Sequence, residues 1–178
     1  MDVERLKSEM GLLEKISTYV PGYRGYKEKE LRRETDILIR RKISSVLSEA
    51  KAFLNSPLSP SAARKLAYEA DAKFAFENVR TSFDRITQRI DKAVAGYAGL
   101  FDAVKVREDK LDAVIRHDLA LLQKADSLKT FASELMTAEP ASSEWKTKLN
   151  QIQTALNEFD RLVDERTQIL KGLVEVGR

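Results

Sequence analysis

His117 is the one imidazole in the chain, and cysteine is absent. A serine or threonine nucleophile needs a positioned base, so a hydrolytic triad has at most one available here. Asp118 follows His117 directly, and consecutive side chains on a helix diverge by about 100° and do not face each other. The reading that follows is a surface or boundary histidine. A di-iron centre in a helical bundle requires two Glu-x-x-His pairs, and no glutamate stands three residues before His117. Asp109, Asp112 and Asp118 could offer oxygen ligands to a hard cation. Without a glycine-turned loop, however, helix-borne carboxylates read as a solvated acidic face. Gly96-x-x-Gly99 lacks the length and the lysine of a phosphate-cradling loop. No catalytic, metal or cofactor-binding residue is expected, and an enzyme is the disfavoured class.

Three charges stand where apolar residues would be expected. From Ala72 to Leu135 hydrophobic residues recur at alternating steps of three and four, interrupted only by Arg107 and Asp118. From Trp145 to Leu173 the same rhythm is broken only by Arg166. That step keeps one side of an α-helix against a partner, whereas a strand would alternate at every second residue. A charge inside such a stripe is costly unless paired. Arg107, Asp118 and Arg166 are therefore a candidate core ion pair that would fix helix register.

A second group is exposed by pattern. Residues 19–42 carry eight cationic and four anionic side chains, a local +4 within a chain of net charge +3. Glu28 with Arg32, and Asp36 with Arg40, are acid-before-base pairs at helical spacing, which stabilise an exposed helix. With the neighbouring tyrosines these cations form a candidate partner-binding corner of Tyr23, Arg24, Tyr26, Lys29, Arg33 and Arg40. Lys29, Arg33 and Arg40 fall on one helical arc away from the stripe of Ile39, Val46, Ala50 and Phe53, and are expected to face solvent together. The run Pro21-Gly22-Tyr23-Arg24-Gly25-Tyr26-Lys27-Glu28-Lys29-Glu30-Leu31-Arg32-Arg33, with Gly96-Tyr97-Ala98-Gly99-Leu100-Phe101-Asp102, resembles an uncharacterised family of prokaryotic all-helical proteins. The resemblance covers about a fifth of the chain. It implies a helical fold and assigns no activity.

The elements that must hold these residues are long helices. A short first helix over about Asp2 to Thr18 carries Val3, Leu6, Met10, Leu13, Ile16 and Val20 on one side and ends at Pro21-Gly22. A second spans about Tyr26 to Leu54, stopped by Asn55-Ser56-Pro57. Ser59 before Pro60 starts a third, because the hydroxyl accepts an orphan amide proton and proline needs none. The last follows Pro140, with Ser142 as its cap. Between Ser61 and Thr137 the breakers are Gly96 and Gly99 alone. A cut near Gly96 to Asp102 gives helices matching the others in length, as an antiparallel bundle needs. The alternative is one continuous helix over about 60–137, on the order of 100 Å long, with the others packed along it.

The expected fold is thus all-α: one helical domain over residues 1–178, an antiparallel bundle of four long helices plus a short N-terminal helix. The apolar share of 43% suits a globular core, and the longest apolar run, 93–101, is well short of the roughly 20 residues that span a bilayer. The N-terminal Met1-Asp2-Val3-Glu4-Arg5 has no signal-peptide character, and the expected location is cytoplasmic. The expected function is a non-enzymatic interaction or assembly module using the basic, tyrosine-rich corner, with a protein partner and no cofactor. The alternatives are a binder of nucleic acid or an anionic membrane surface through the same corner, and assembly as a homo-oligomer.

Overall fold

The computed structural model describes residues 3–25, 32–92 and 108–174, with side chains over 10–25, 34–92 and 112–169. Among the described residues there are six α-helices and no strand: α1 (Val3–Tyr19), α2 (Arg32–Leu54), α3 (Pro60–Tyr68), α4 (Ala70–Lys92), α5 (Glu108–Thr137) and α6 (Ser143–Val174). The fold is all-α. Also among the described residues, no helix is long and apolar enough to cross a membrane.

Helix ends follow local chemistry. The Val20 amide still donates to Ile16, Pro21 cannot continue the helix, and Gly22 turns the chain at φ +86°. At α3 the Ala62 amide donates to the Ser59 hydroxyl at 3.2 Å, with Pro60 in the first helical position. At α6 the Trp145 amide donates to Ser142 Oγ at 3.1 Å. One expectation fails: the helix begun at Pro60 does not run on, but breaks at Glu69, whose backbone lies at φ −100°, ψ 78°. The apolar phase explains the break. Ala72, Phe76, Val79, Phe83, Ile86 and Ile90 are buried in steps of three and four, but the buried residue before Ala72 is Leu66, six positions back. At about 100° per residue that spacing displaces the stripe by a third of a turn. A kink brings both faces inward.

Helix α5 packs on α2 and α6, α4 packs on the same two, α1 lies on α5, and α3 lies on α4. Their apolar stripes meet in one core, with Ile39, Ile43, Leu47, Phe83, Ile86, Leu121, Leu128, Ile152, Leu156 and Phe159 fully buried. Among the described side chains, two residues assigned to the stripes lie outside that core. Met10 is 69% exposed, whereas Ile16 and Val20 further along are buried, and Phe53 yields its place to Leu54.

Ion pairs across the helix seams set direction and exclude the continuous rod. Glu49 and Lys51 on α2 engage Lys129 of α5 and Asp84 of α4, so residues 84 and 129 sit at one level of the bundle. In a single helix they would stand about 65 Å apart. Further pairs join Asp160 to Arg85 and Arg89, and Glu158 to Lys124. α4 therefore runs antiparallel to α5, while α2 and α5 run parallel. The expected break near Gly96 to Asp102 lies outside the described residues.

Candidate functional site

The sequence places an acid and a base on α2 at Asp36 and Arg40, in step with Ile43, Leu47, Ala50 and Leu54. Residues spaced by three and four share a helix face, so whatever buries the isoleucine also buries the charges. Asp36 is 1% exposed and Arg40 5%. The arginine turns back one helical turn, its Nη2 bound to Asp36 Oδ2 and its Nε 3.5 Å from the Asp36 carbonyl. This pair was expected on the surface. The inner arc of α2 includes Leu47 and Leu54 and is rotated towards Arg40, which overturns its assignment to the solvent-facing corner.

From α6, Arg166 reaches the same carboxylate and a second one. Its Nη2 lies 2.8 Å from Asp36 Oδ1, and its Nε donates to Asp118 Oδ1 on α5 at 2.8 Å. The result is a buried chain of alternating charge, Asp118 to Arg166 to Asp36 to Arg40, linking α5, α6 and α2. Each guanidinium meets carboxylate, and the low local dielectric strengthens every contact in the chain. Taking one partner from such a pair leaves an uncompensated charge and costs about 3–5 kcal/mol. Asp112 is buried nearby on α5. The solvated face expected at Asp109, Asp112 and Asp118 is not formed by the latter two, since helix α5 turns both inward, and the Asp109 side chain lies outside the described residues.

The turn after α1 closes this end. Tyr23 is buried, its phenol turned to Asp118. Desolvation first, then the negative charge of Asp118 and the hydrogen bond to it, push the phenol far above its ordinary range, with Arg166 opposing. Thr35, also buried, donates its hydroxyl to the Gly25 carbonyl at 3.0 Å and so ties α2 to the turn. His117 is half-buried, with Nε2 2.6 Å from the Leu162 carbonyl. A carbonyl only accepts, so Nε2 carries the proton and the ring ties α5 to α6.

Asp118 and Arg166 thus come together as a core pair, while Arg107 lies outside the described residues. The corner is divided. Tyr23 and Arg40 belong to the interior, Arg24 is exposed, and Tyr26, Lys29 and the Arg33 side chain lie outside the described residues. Sequence reasoning missed Asp36 as a core residue, although the three-four step read backwards from Ile43 passes through Arg40 to Asp36. Among the described residues no three carboxylate or imidazole groups converge on a position that could hold a metal ion. No protein-family model matches the chain, and neither curated proteins nor solved structures contain a match.

Proposed function

We propose that the protein is a non-enzymatic interaction or assembly module, a helical bundle that presents the turn following α1 to a protein partner. The supporting observation is how the charges at that end are used. Asp36, Arg40, Asp118 and Arg166 are buried and matched against one another, an arrangement that specifies register rather than offering a reactive group. Beside them Arg24 projects into solvent between buried Tyr23 and buried Gly25. An arginine on a held backbone loses less freedom on binding than one on a loose loop, which favours it as an anchor.

Affinity capture from the native cells, with the wild type and Arg24→Glu compared at low and high salt, tests this. The expected result is a protein held in fixed proportion by the wild type and lost from the variant. The melting temperature should not change, because Arg24 is exposed. Recovery of nucleic acid or anionic vesicles with a steep salt dependence would instead favour phosphate recognition at the same turn. An identical set of partners for both proteins would remove the turn as a docking point.

A further inference from the structure

At the end of the bundle opposite the charged cluster, the kink at Glu69 leaves α3 leaning on α4 beside the end of α2. A groove of about 260 Å³ opens between them. Its floor is Leu54, Leu58, Leu66 and Phe76, and its α3 wall is Ala63 and Ala67. In the floor the Phe76 ring packs against Trp145, at 5.6 Å between centroids, and against the Arg80 guanidinium, 5.9 Å from its centroid. Small-molecule sites usually span about 300–1,000 Å³, so this groove lies below that range and suits a single side chain.

The charge around the groove indicates what would bring that side chain. The acids at this end are neutralised: Glu77 by Arg80, Glu69 by Lys146, and Glu139 by Lys65. Asp71 lies in the first turn of α4, where the helix dipole favours it. Arg80 is also spent, donating to Asn55 as well as to Glu77. Lys73 on the rim and Arg64 on α3 are exposed and have no ion pair among the described residues. Tyr68, 90% exposed, and Phe74, 69% exposed, add aromatic surface beside them. A second copy of the chain fits poorly, because a two-fold contact would set this cationic rim against an identical cationic rim.

From this we infer that the groove is a second docking surface, receiving one large apolar side chain from an acidic amphipathic helix of a partner protein. The apolar anchor would fill the floor while flanking carboxylates meet Lys73 and Arg64. This surface is separate from the Arg24 turn, so either can fail alone.

Selection from a displayed library of helical peptides with randomised apolar and charged positions, using the full chain as bait, tests the inference. Enriched peptides should combine a large apolar residue with acidic flanks. Their affinity should fall about thirtyfold or more for Ala67→Trp, which fills the groove from an exposed position. It should fall about tenfold for Lys73→Glu with Arg64→Glu. Both variants should keep the wild-type circular dichroism spectrum and melting temperature. The inference would be overturned by no enrichment, by basic or neutral binders, by binders indifferent to Ala67→Trp, or by a concentration-dependent dimer abolished by Ala67→Trp, which would give the groove to a second copy. Binders lost only with Arg24→Glu would defeat this inference and leave the turn as the docking point.

Discussion

Tyr23 places a phenol where α1 ends and the charged cluster begins, so its proton has a structural task. Burial and the adjacent Asp118 hold its pKa well above the ordinary 10.0, and in the folded protein it stays protonated. In the unfolded chain it ionises near its ordinary value. A folded pKa above the unfolded one gives a contribution that is complete below about pH 10 and lost as the pH rises further. Stability should therefore fall above pH 10 by up to about 1.4 kcal/mol per unit from this group. Tyr23→Phe should remove that part of the slope. At neutral pH the same variant should be less stable by about 1–3 kcal/mol, the cost of leaving the buried Asp118 with a less polar neighbour. Urea unfolding at neutral and alkaline pH measures both, and an unaltered alkaline slope in the variant would detach Tyr23 from the cluster. Legibility differs between the cluster's members for a physical reason. Asp118 and Arg166 stand out in sequence because each interrupts an apolar stripe. Asp36 and Arg40 are less plain, since an acid four residues before a base is equally the signature of an exposed helix; the three-four step back from Ile43 points inward, and the arrival of Arg166 from α6 shows how the pair is held there.

Turns and caps are local, and most were readable from the residues that build them. Ser59-Pro60 and Ser142 cap their helices as their side-chain chemistry requires, because an N-cap hydroxyl finds its amide partners within three residues. The break at Glu69 was not read, although the six-residue step from Leu66 to Ala72 carries it. No proline or glycine marks the place, and the signal is a phase slip rather than a breaker residue. The two turn glycines after α1 illustrate how space and backbone conformation separate. Gly22 and Gly25 both have positive φ, +86° and +77°. A Cβ at Gly22 would meet nothing within 4 Å, whereas one at Gly25 would lie 3.1 Å from Leu13 Cδ2 and 3.6 Å from Ile115 Cδ1. Gly22→Ala should cost about 1–2 kcal/mol from left-handed strain alone. Gly25→Ala should cost more, because Leu13 must also give way between the turn and α5. Thermal unfolding of the two variants decides this, and equal losses would mean that Leu13 moves freely.

At the scale of the molecule, hydrophobic rhythm specifies helices but not the neighbours they choose. The stripe through Ala72 to Leu135 is the same whether the chain continues or turns back, which is why sequence left both a bundle and a rod open. The decision comes from pairs distant in sequence, Lys51 with Asp84 and Lys129 with Glu49, which place α4 and α5 at one level on α2. Surface ion pairs of this kind add little stability individually. Their value here is positional, since charges of opposite sign occur at matching heights along the seams. The Lys129 ammonium, by hydrogen bond and charge, holds the Glu49 carboxyl below its usual range, so this contact persists at neutral pH and weakens as the pH falls. The arrangement is open to direct measurement because the chain has no cysteine of its own. Spin labels on Thr81→Cys and Thr130→Cys, both exposed positions, report the separation of α4 from α5. With interaxial distances of about 8–10 Å, the labels should stand roughly 25–35 Å apart across the bundle. One helix through both positions would separate them by about 70 Å. A distribution centred near the longer distance would dismantle the bundle, and with it the alignment that brings Asp36, Asp118 and Arg166 together, since residues 84 and 129 could not then share a level with the C-terminal turns of α2.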